Sequence, residues 1–215
     1  MSIHNRRGFS ILAAMLCIVL PIDAQLPSLD VERAKNLGIA YLEQEQPKDA
    51  LVMFQEVIAL VPEEPLGYAN LAVSHLRLSQ VDSALYWLGE AHSVAPEDTH
   101  VLYLMSEANS AANRWEDALQ ALDQAVKLSP DAPIVRYARY RASQSARSDA
   151  RDATAAEDME RLVVLVPDNP AIRMKYAKDR AASGDFESAR ESFAAVKSLL
   201  DDAGVQERVL ALVEK

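Results

Sequence analysis

Cysteine occurs once in this chain of 215 residues, at Cys17. A disulfide framework within the chain and a cysteine-ligated metal centre are both excluded. Glycine is almost as scarce, with 6 residues, and none of them forms a phosphate-cradling loop or a G-x-S-x-G elbow. The four histidines, His4, His75, His92 and His100, form neither an H-E-x-x-H nor a His-x3-His pair. No metal, no cofactor and no catalytic nucleophile with its base are therefore expected, and the chain reads as a non-enzyme. Positive charge is also short: 22 Lys and Arg stand against 32 Asp and Glu, for a net charge of −10. Neutralising phosphates needs clustered cations, so no nucleic-acid partner is expected.

Long apolar runs are missing too, except at the start. Arg6 and Arg7 precede an apolar run from Phe9 to Leu20, then Pro21 and the small residue Ala24. This is the layout of a secretory signal over residues 1–24, cleaved before Gln25. The run is 12 residues, short of the roughly 20 that span a bilayer. Export to the periplasm or the extracellular space is expected, with no stable membrane span after cleavage. An uncleaved N-terminal anchor is the alternative. Cys17 follows Leu16, where a lipidation signal carries a small residue, so lipidation is not expected.

What is abundant is alanine and leucine, both strong helix formers, and they recur at fixed offsets. Ala50, Phe54, Val57 and Pro62 share their spacing with Ala84, Leu88, Ala91 and Pro96. The sets Ala118, Leu122, Ala125, Pro130 and Ala155, Met159, Leu162, Pro167 repeat it. A fifth set, Ala189, Phe193 and Val196, has Asp201 in place of the proline. The leading alanines are 34, 34, 37 and 34 residues apart. Upstream of four sets lies a second stripe: Leu37-Gly38, Leu71-Ala72, Met105-Ser106 and Tyr176-Ala177.

Each unit thus carries two apolar stripes of helical period, one per helix. The small residue at Gly38, Ala72, Ser106 or Ala177 lets the first helix, A, approach the alanine-led face of the second, B. The closing proline cannot continue helix B and sets the turn into the next unit. Asn113 and Gly184 suit the left-handed residue that ends helix A, and Pro47 suits the first turn of a helix B. The acidic pairs in "EDA", "PEDT" and "AED" are read as helix starts, where they favour the helix dipole. A lone unit cannot bury its stripes, so the units must stack.

With L-G-x2-Y, A-x3-F and P at a 34-residue period, the chain resembles the tetratricopeptide repeat family over about residues 31–203. The resemblance implies an all-α, right-handed solenoid of antiparallel helix pairs. Its units fall at about 31–64, 65–98, 99–132, 133–169 and 170–203, within a domain over 25–215. Residues 204–214 fall in register with a sixth helix A, Leu210-Ala211 matching Leu37-Gly38, and read as a capping helix.

Unit four departs from the pattern, with Arg136, Arg139 and Tyr140 where an aromatic, a Leu and a small residue belong. Two readings stand. The Arg stems lie on apolar surface with their heads in water, and a longer connection accommodates Tyr140. Or Arg136, Arg139, Arg141, Arg147 and Arg151 form a basic lobe for a partner.

The resemblance further implies a concave face lined by the A helices, where a peptide binds. Carried onto this chain, the binding positions are Lys35 and Ile39 in unit one, and Leu66, Val73 and the adjacent Arg77 in unit two. Tyr103 and Glu107 follow in unit three, Tyr137 and Arg141 in unit four, and Met174 and Lys178 in unit five. The groove is apolar at one end, and aromatic with cations at the other. Tyr103, Tyr137, Arg141 and Lys178 suit a protein or peptide segment that contains or ends in a carboxylate, unless they line a solvated wall. The carboxylate clamp of chaperone-binding relatives is incomplete: Lys35 and Asn70 match two of its places, while Ile39, His100 and Leu104 replace the rest. The expected role is a non-catalytic scaffold in an envelope or secretion assembly. The alternative is a self-associating structural protein, pairing as a homodimer through Val31 and Leu37 of unit one.

Overall fold

The computed structural model describes residues 26–146 and 149–201. Residues 1–24, expected as a secretory signal, Arg147 and the stretch 204–214 lie outside them, and so does the side chain of Arg151. The described residues form ten helices and no strand: α1 (Leu26–Glu43), α2 (Pro47–Leu60), α3 (Pro65–Arg77), α4 (Val81–Val94), α5 (Thr99–Ala111), α6 (Trp115–Leu128), α7 (Pro133–Ala146), α8 (Asp149–Leu165), α9 (Pro170–Ala182) and α10 (Phe186–Asp201). Each helix packs on its neighbours in sequence. The A helices also touch across units, α1 on α3, α3 on α5 and α5 on α7, whereas no two B helices do. The A helices therefore line the inner side of a curved stack.

The boundaries follow from local chemistry that repeats. Residues Glu64, Asp98 and Asn169 stand one residue before α3, α5 and α9, and each accepts from a backbone N–H of the first turn. Asp98 accepts from His100 at 2.8 Å and from Val101 at 3.2 Å. These caps satisfy donors that a helix start leaves orphaned. At the other end, Glu45, Ser79, Asn113 and Gly184 all have positive φ. Each lets the next N–H reach back to a carbonyl five residues earlier: Gln46 to Tyr41 at 2.8 Å, Gln80 to His75 at 2.9 Å, Arg114 to Asn109 at 2.8 Å and Asp185 to Arg180 at 2.9 Å. This closes the helix in a Schellman turn. The expected left-handed positions, Asn113 and Gly184, are in place. Glu45 and Ser79 join them without a sequence signal. Pro47 opens α2 as expected.

The alanine-led stripes form the core. Ala50, Phe54, Val57, Ala84, Leu88, Ala91, Ala118 and Ala125 are wholly buried. Gly38 shows why its position must be small: a Cβ there would stand 2.6 Å from the Phe54 ring. Val31 is buried by its own chain, so of the two residues expected at a unit-one dimer contact only Leu37 is open to solvent.

Unit four corrects both readings for Arg136 and Arg139. Arg136 and Arg139 are buried to their tips, neither heading into water nor offered to a partner. They converge on Asp158, whose side chain is fully enclosed. Asp158 belongs to the acidic run "AED", which lies in the middle of α8 and not at a helix start. The longer connection is also corrected. The leading alanine stands three residues after the first residue of α2, α4, α6 and α10, but Ala155 stands six after Asp149. The insertion thus lengthens α8, to 17 residues against 14 for α6.

Candidate functional site

Arg136 donates from Nη1 to Asp158 Oδ1 at 2.8 Å and from Nε to the Pro130 carbonyl. Arg139 grips both oxygens of Asp158, at 2.7 and 2.8 Å, and reaches Asp123 on α6 at 3.0 Å. The hydrogen bond to Asp158 is the main cause that holds the Arg139 guanidinium above its ordinary value. This ion cluster pins α7 between α6 and α8. With Arg136 and Arg139 turned inward, Tyr137 and Arg141 face outward on the inner wall, and both are exposed.

The outward residues meet their neighbours in one recess of about 310 Å³, lined by Glu107 and Ser110 of α5, Trp115 of α6, Tyr137, Tyr140, Arg141 and Gln144 of α7, and Lys175 of α9. Tyr140 is nearly buried and donates its hydroxyl to Asp179 at 2.8 Å. Lys175 sits 5.5 Å from the centre of the Tyr140 ring and 3.1 Å from Asp179. Burial first, and then the bond to Asp179 against the opposing pull of Lys175, pushes the Tyr140 phenol up to about 12. Tyr103 stands beside this group, and its phenol is raised by burial and by Glu107, with Arg141 opposing. The Tyr137 ring stacks on that of Tyr140 at 6.1 Å.

Unlike the earlier A helices, α7 and α9 keep their backbones apart and meet through side chains, Tyr140 on Asp179 among them. A second recess of about 320 Å³ opens there, lined by Pro133, Ile134, Tyr137, Leu162, Val166, Asn169, Ala171 and Ile172. Tyr137 is thus a ridge with a polar, cationic hollow on one side and an apolar one on the other.

Of the positions expected to bind a peptide, the structure brings together Glu107, Tyr137 and Arg141, with Tyr103 at their edge. Lys178 is exposed but does not line the recess, and Met174 is half-buried outside it. Their neighbour Lys175 lines it instead. Its helical offset from Lys178 turns it toward α7, and only the placement of α9 beside α7 reveals that. Trp115, at the start of a B helix, also lay outside the expected set. At the N-terminal end, Ile39 and Leu66 are exposed, Arg77 is exposed, and Val73 packs against the α3–α5 core. Lys35 is half-buried and paired with Glu64 at 2.9 Å, so its charge is already met within the chain.

Two family profiles, both described as tetratricopeptide repeat, match residues 35–98 and 75–142. The chain belongs to the tetratricopeptide repeat family. Among curated proteins, none matches the sequence. Solved structures share the fold at low identity. MamA from Desulfovibrio magneticus RS-1 is 18% identical, with 81% of this chain and 98% of that one covered and a TM-score of 0.67. PilF of Pseudomonas aeruginosa is 20% identical, with 80% and 77% covered and a TM-score of 0.70. TTC0263, a thermophilic tetratricopeptide repeat protein of Thermus thermophilus, is also 20% identical, with 86% and 100% covered and a TM-score of 0.59. Tetratricopeptide repeat domains bind protein partners and are typically non-catalytic scaffolds. No helix among the described residues is long and apolar enough to cross a membrane.

Proposed function

We propose that the chain is an exported, non-catalytic scaffold that holds a protein or peptide segment on the inner wall of its solenoid, centred on Tyr137. The observation that carries this reading is the placement of exposed Arg141 and Tyr137 in one recess with Lys175, Trp115 and Gln144. Arg141 is free to take a carboxylate in a forked, charge-assisted pair. Tyr137 offers a rigid face for an apolar or aromatic side chain. Glu107, across the recess, accepts from a backbone N–H and fixes the direction of the segment. A cell-envelope or secretion assembly suits such a scaffold.

Two measurements test this. Affinity purification from the native cell compares the natural chain with a variant changed to alanine at Tyr103, Tyr137 and Arg141. The variant loses the partner; identical partner sets remove the inner wall from the proposal. The N-terminal residue of the purified protein tests export, with Gln25 expected after cleavage of residues 1–24. A second reading, a self-associating structural protein, rests on Leu37, which is 39% exposed on α1. Sedimentation over a concentration series separates the two, because a strict monomer at tens of micromolar (about 6–7 kcal/mol of association) leaves no room for that reading.

A further inference from the structure

Four units put a small residue where helix A meets its own helix B: Gly38, Ala72, Ser106 and Ala177. Unit four has Tyr140 at that position. The Tyr140 ring joins the cluster of Met159 and Leu162 on α8 and Ile172 on α9, and its hydroxyl reaches Asp179. Tyr140 is thus a spacer between three helices. Successive A helices up to α7 pack closely, whereas α7 and α9 leave the hollow of about 320 Å³ between them. Carbon lines that hollow: Pro133, Ile134, Leu162, Val166 and Ile172. Its one carboxamide, Asn169, spends its oxygen on the first turn of α9, 3.0 Å from the Ala171 N–H nitrogen and 3.2 Å from that of Ile172. Such a cavity has room for an apolar side chain and little to offer a polar one.

Ile134, 61% exposed at the rim of the hollow, is followed by Tyr137 and Arg141 at offsets of three and four residues. The three lie on one face of α7. Asp158 holds Arg136 and Arg139, and Asp179 holds Lys175, which leaves Arg141 as the exposed cation at the far end of that face. From Ile134 to Arg141 is about 10 Å along the helix, at about 1.5 Å per residue. An extended chain of the polyproline type covers that distance in three residues, at about 3.1 Å each, and its three-fold period returns the third side chain to the same side. We infer that the segment held on the inner wall buries an aliphatic or aromatic side chain in the α7–α9 hollow and sets an Asp or Glu, three residues away, on Arg141. This rests on the peptide reading of the same wall and names what the peptide carries. Burial in the hollow supplies affinity, and the forked pair with Arg141 fixes the register. The Tyr137 ring, between the two anchors, packs against the residues that connect them.

The test selects a random-peptide display library on the full chain. The enriched sequences are expected to share an aliphatic or aromatic residue with Asp or Glu three positions away, in either order. Enrichment of sequences without that pair, or no enrichment, would overturn the inference. The most enriched peptide is then synthesised and titrated by fluorescence anisotropy. Ala171→Phe fills the hollow from the exposed first turn of α9 and weakens binding about tenfold, the worth of one buried apolar side chain. Arg141→Ala weakens it to a similar degree. Ala153→Phe makes the same change at an exposed position of α8 away from the hollow and leaves binding as it was; an equal loss there would overturn the inference. A loss with Arg141→Ala but not with Ala171→Phe overturns the two-anchor inference and leaves the inner-wall reading standing, and so does the reverse. Indifference to both variants and to Tyr137→Ala removes the two readings together. Should Ala171→Phe lower helicity, Ile134→Asp, at a position already open to solvent, takes its place with the same expected loss.

Discussion

Arg139 closes on Asp158 as a fork, Nε on Oδ2 at 2.7 Å and Nη2 on Oδ1 at 2.8 Å, with the carboxylate fully enclosed. Arg136 completes the cluster from the preceding turn of α7. Two cations share one buried anion, and Asp123 at the edge takes up part of the remaining charge.

Removing Asp158 leaves two guanidinium groups without their central partner. Asp158→Ala is expected to destabilise the fold by about 3–5 kcal/mol, the range for breaking a buried pair from one side. Replacing Arg136, Arg139 and Asp158 together by Met, Met and Leu restores most of that loss, because no charge is then left buried. Chemical denaturation of the two variants measures the difference.

Tyr140 makes stability depend on alkaline pH. Its phenol is pushed up to about 12 in the folded chain, against an ordinary value of 10.0. Below pH 10 the proton is bound in both states and contributes no slope. Between pH 10 and 12 the unfolded chain loses it while the folded chain keeps it, so the unfolded state binds fewer protons and stability falls with pH. Tyr140→Phe flattens that part of the profile. Denaturation midpoints across the window, with the phenolate absorbance titration of both proteins, check it.

Gly38 and Phe54 trade volume. Gly38→Ala places a methyl group against the wholly buried Phe54 ring and is expected to cost about 1–3 kcal/mol. Unit two solves the same contact with Ala72 and Leu88, both fully buried. Gly38→Ala with Phe54→Leu copies that solution and recovers stability relative to Gly38→Ala alone. A double-mutant cycle in denaturant measures the coupling.

Ser79 and Glu45 hold left-handed backbones, with φ of 59° and 57°. A side chain in that region costs about 1–2 kcal/mol, of which glycine's greater chain entropy returns part. Ser79→Gly is expected to raise stability by roughly 0.5 kcal/mol. Gly184→Ala, at φ 86°, lowers it by about 1 kcal/mol. Melting midpoints read both signs.

The architecture was legible in the sequence because a stacked repeat writes the same contact many times. Four prolines and five alanines at one offset marked the B helices and their ends. The site was legible in part. Glu107, Tyr137 and Arg141 came from repeat positions and do line one recess, but Lys175 and Trp115 owe their place to how α9 and α6 approach α7. Arg136 and Arg139 misled for a physical reason. On the chain alone, two arginines on a helix belong at the surface, and the acid that draws them inside lies 19 residues beyond Arg139.

By itself, then, the sequence determined the helices, their pairing and the order in which they stack. Apolar period, small residues at close approaches and closing prolines are short-range facts, each confined to one unit. Tertiary structure alone decided which charges are buried and which are offered: Asp158 inward, Arg141 outward, Lys35 already paired with Glu64. A charge takes its role from the partners that packing brings within hydrogen-bond reach, and those partners come from other helices.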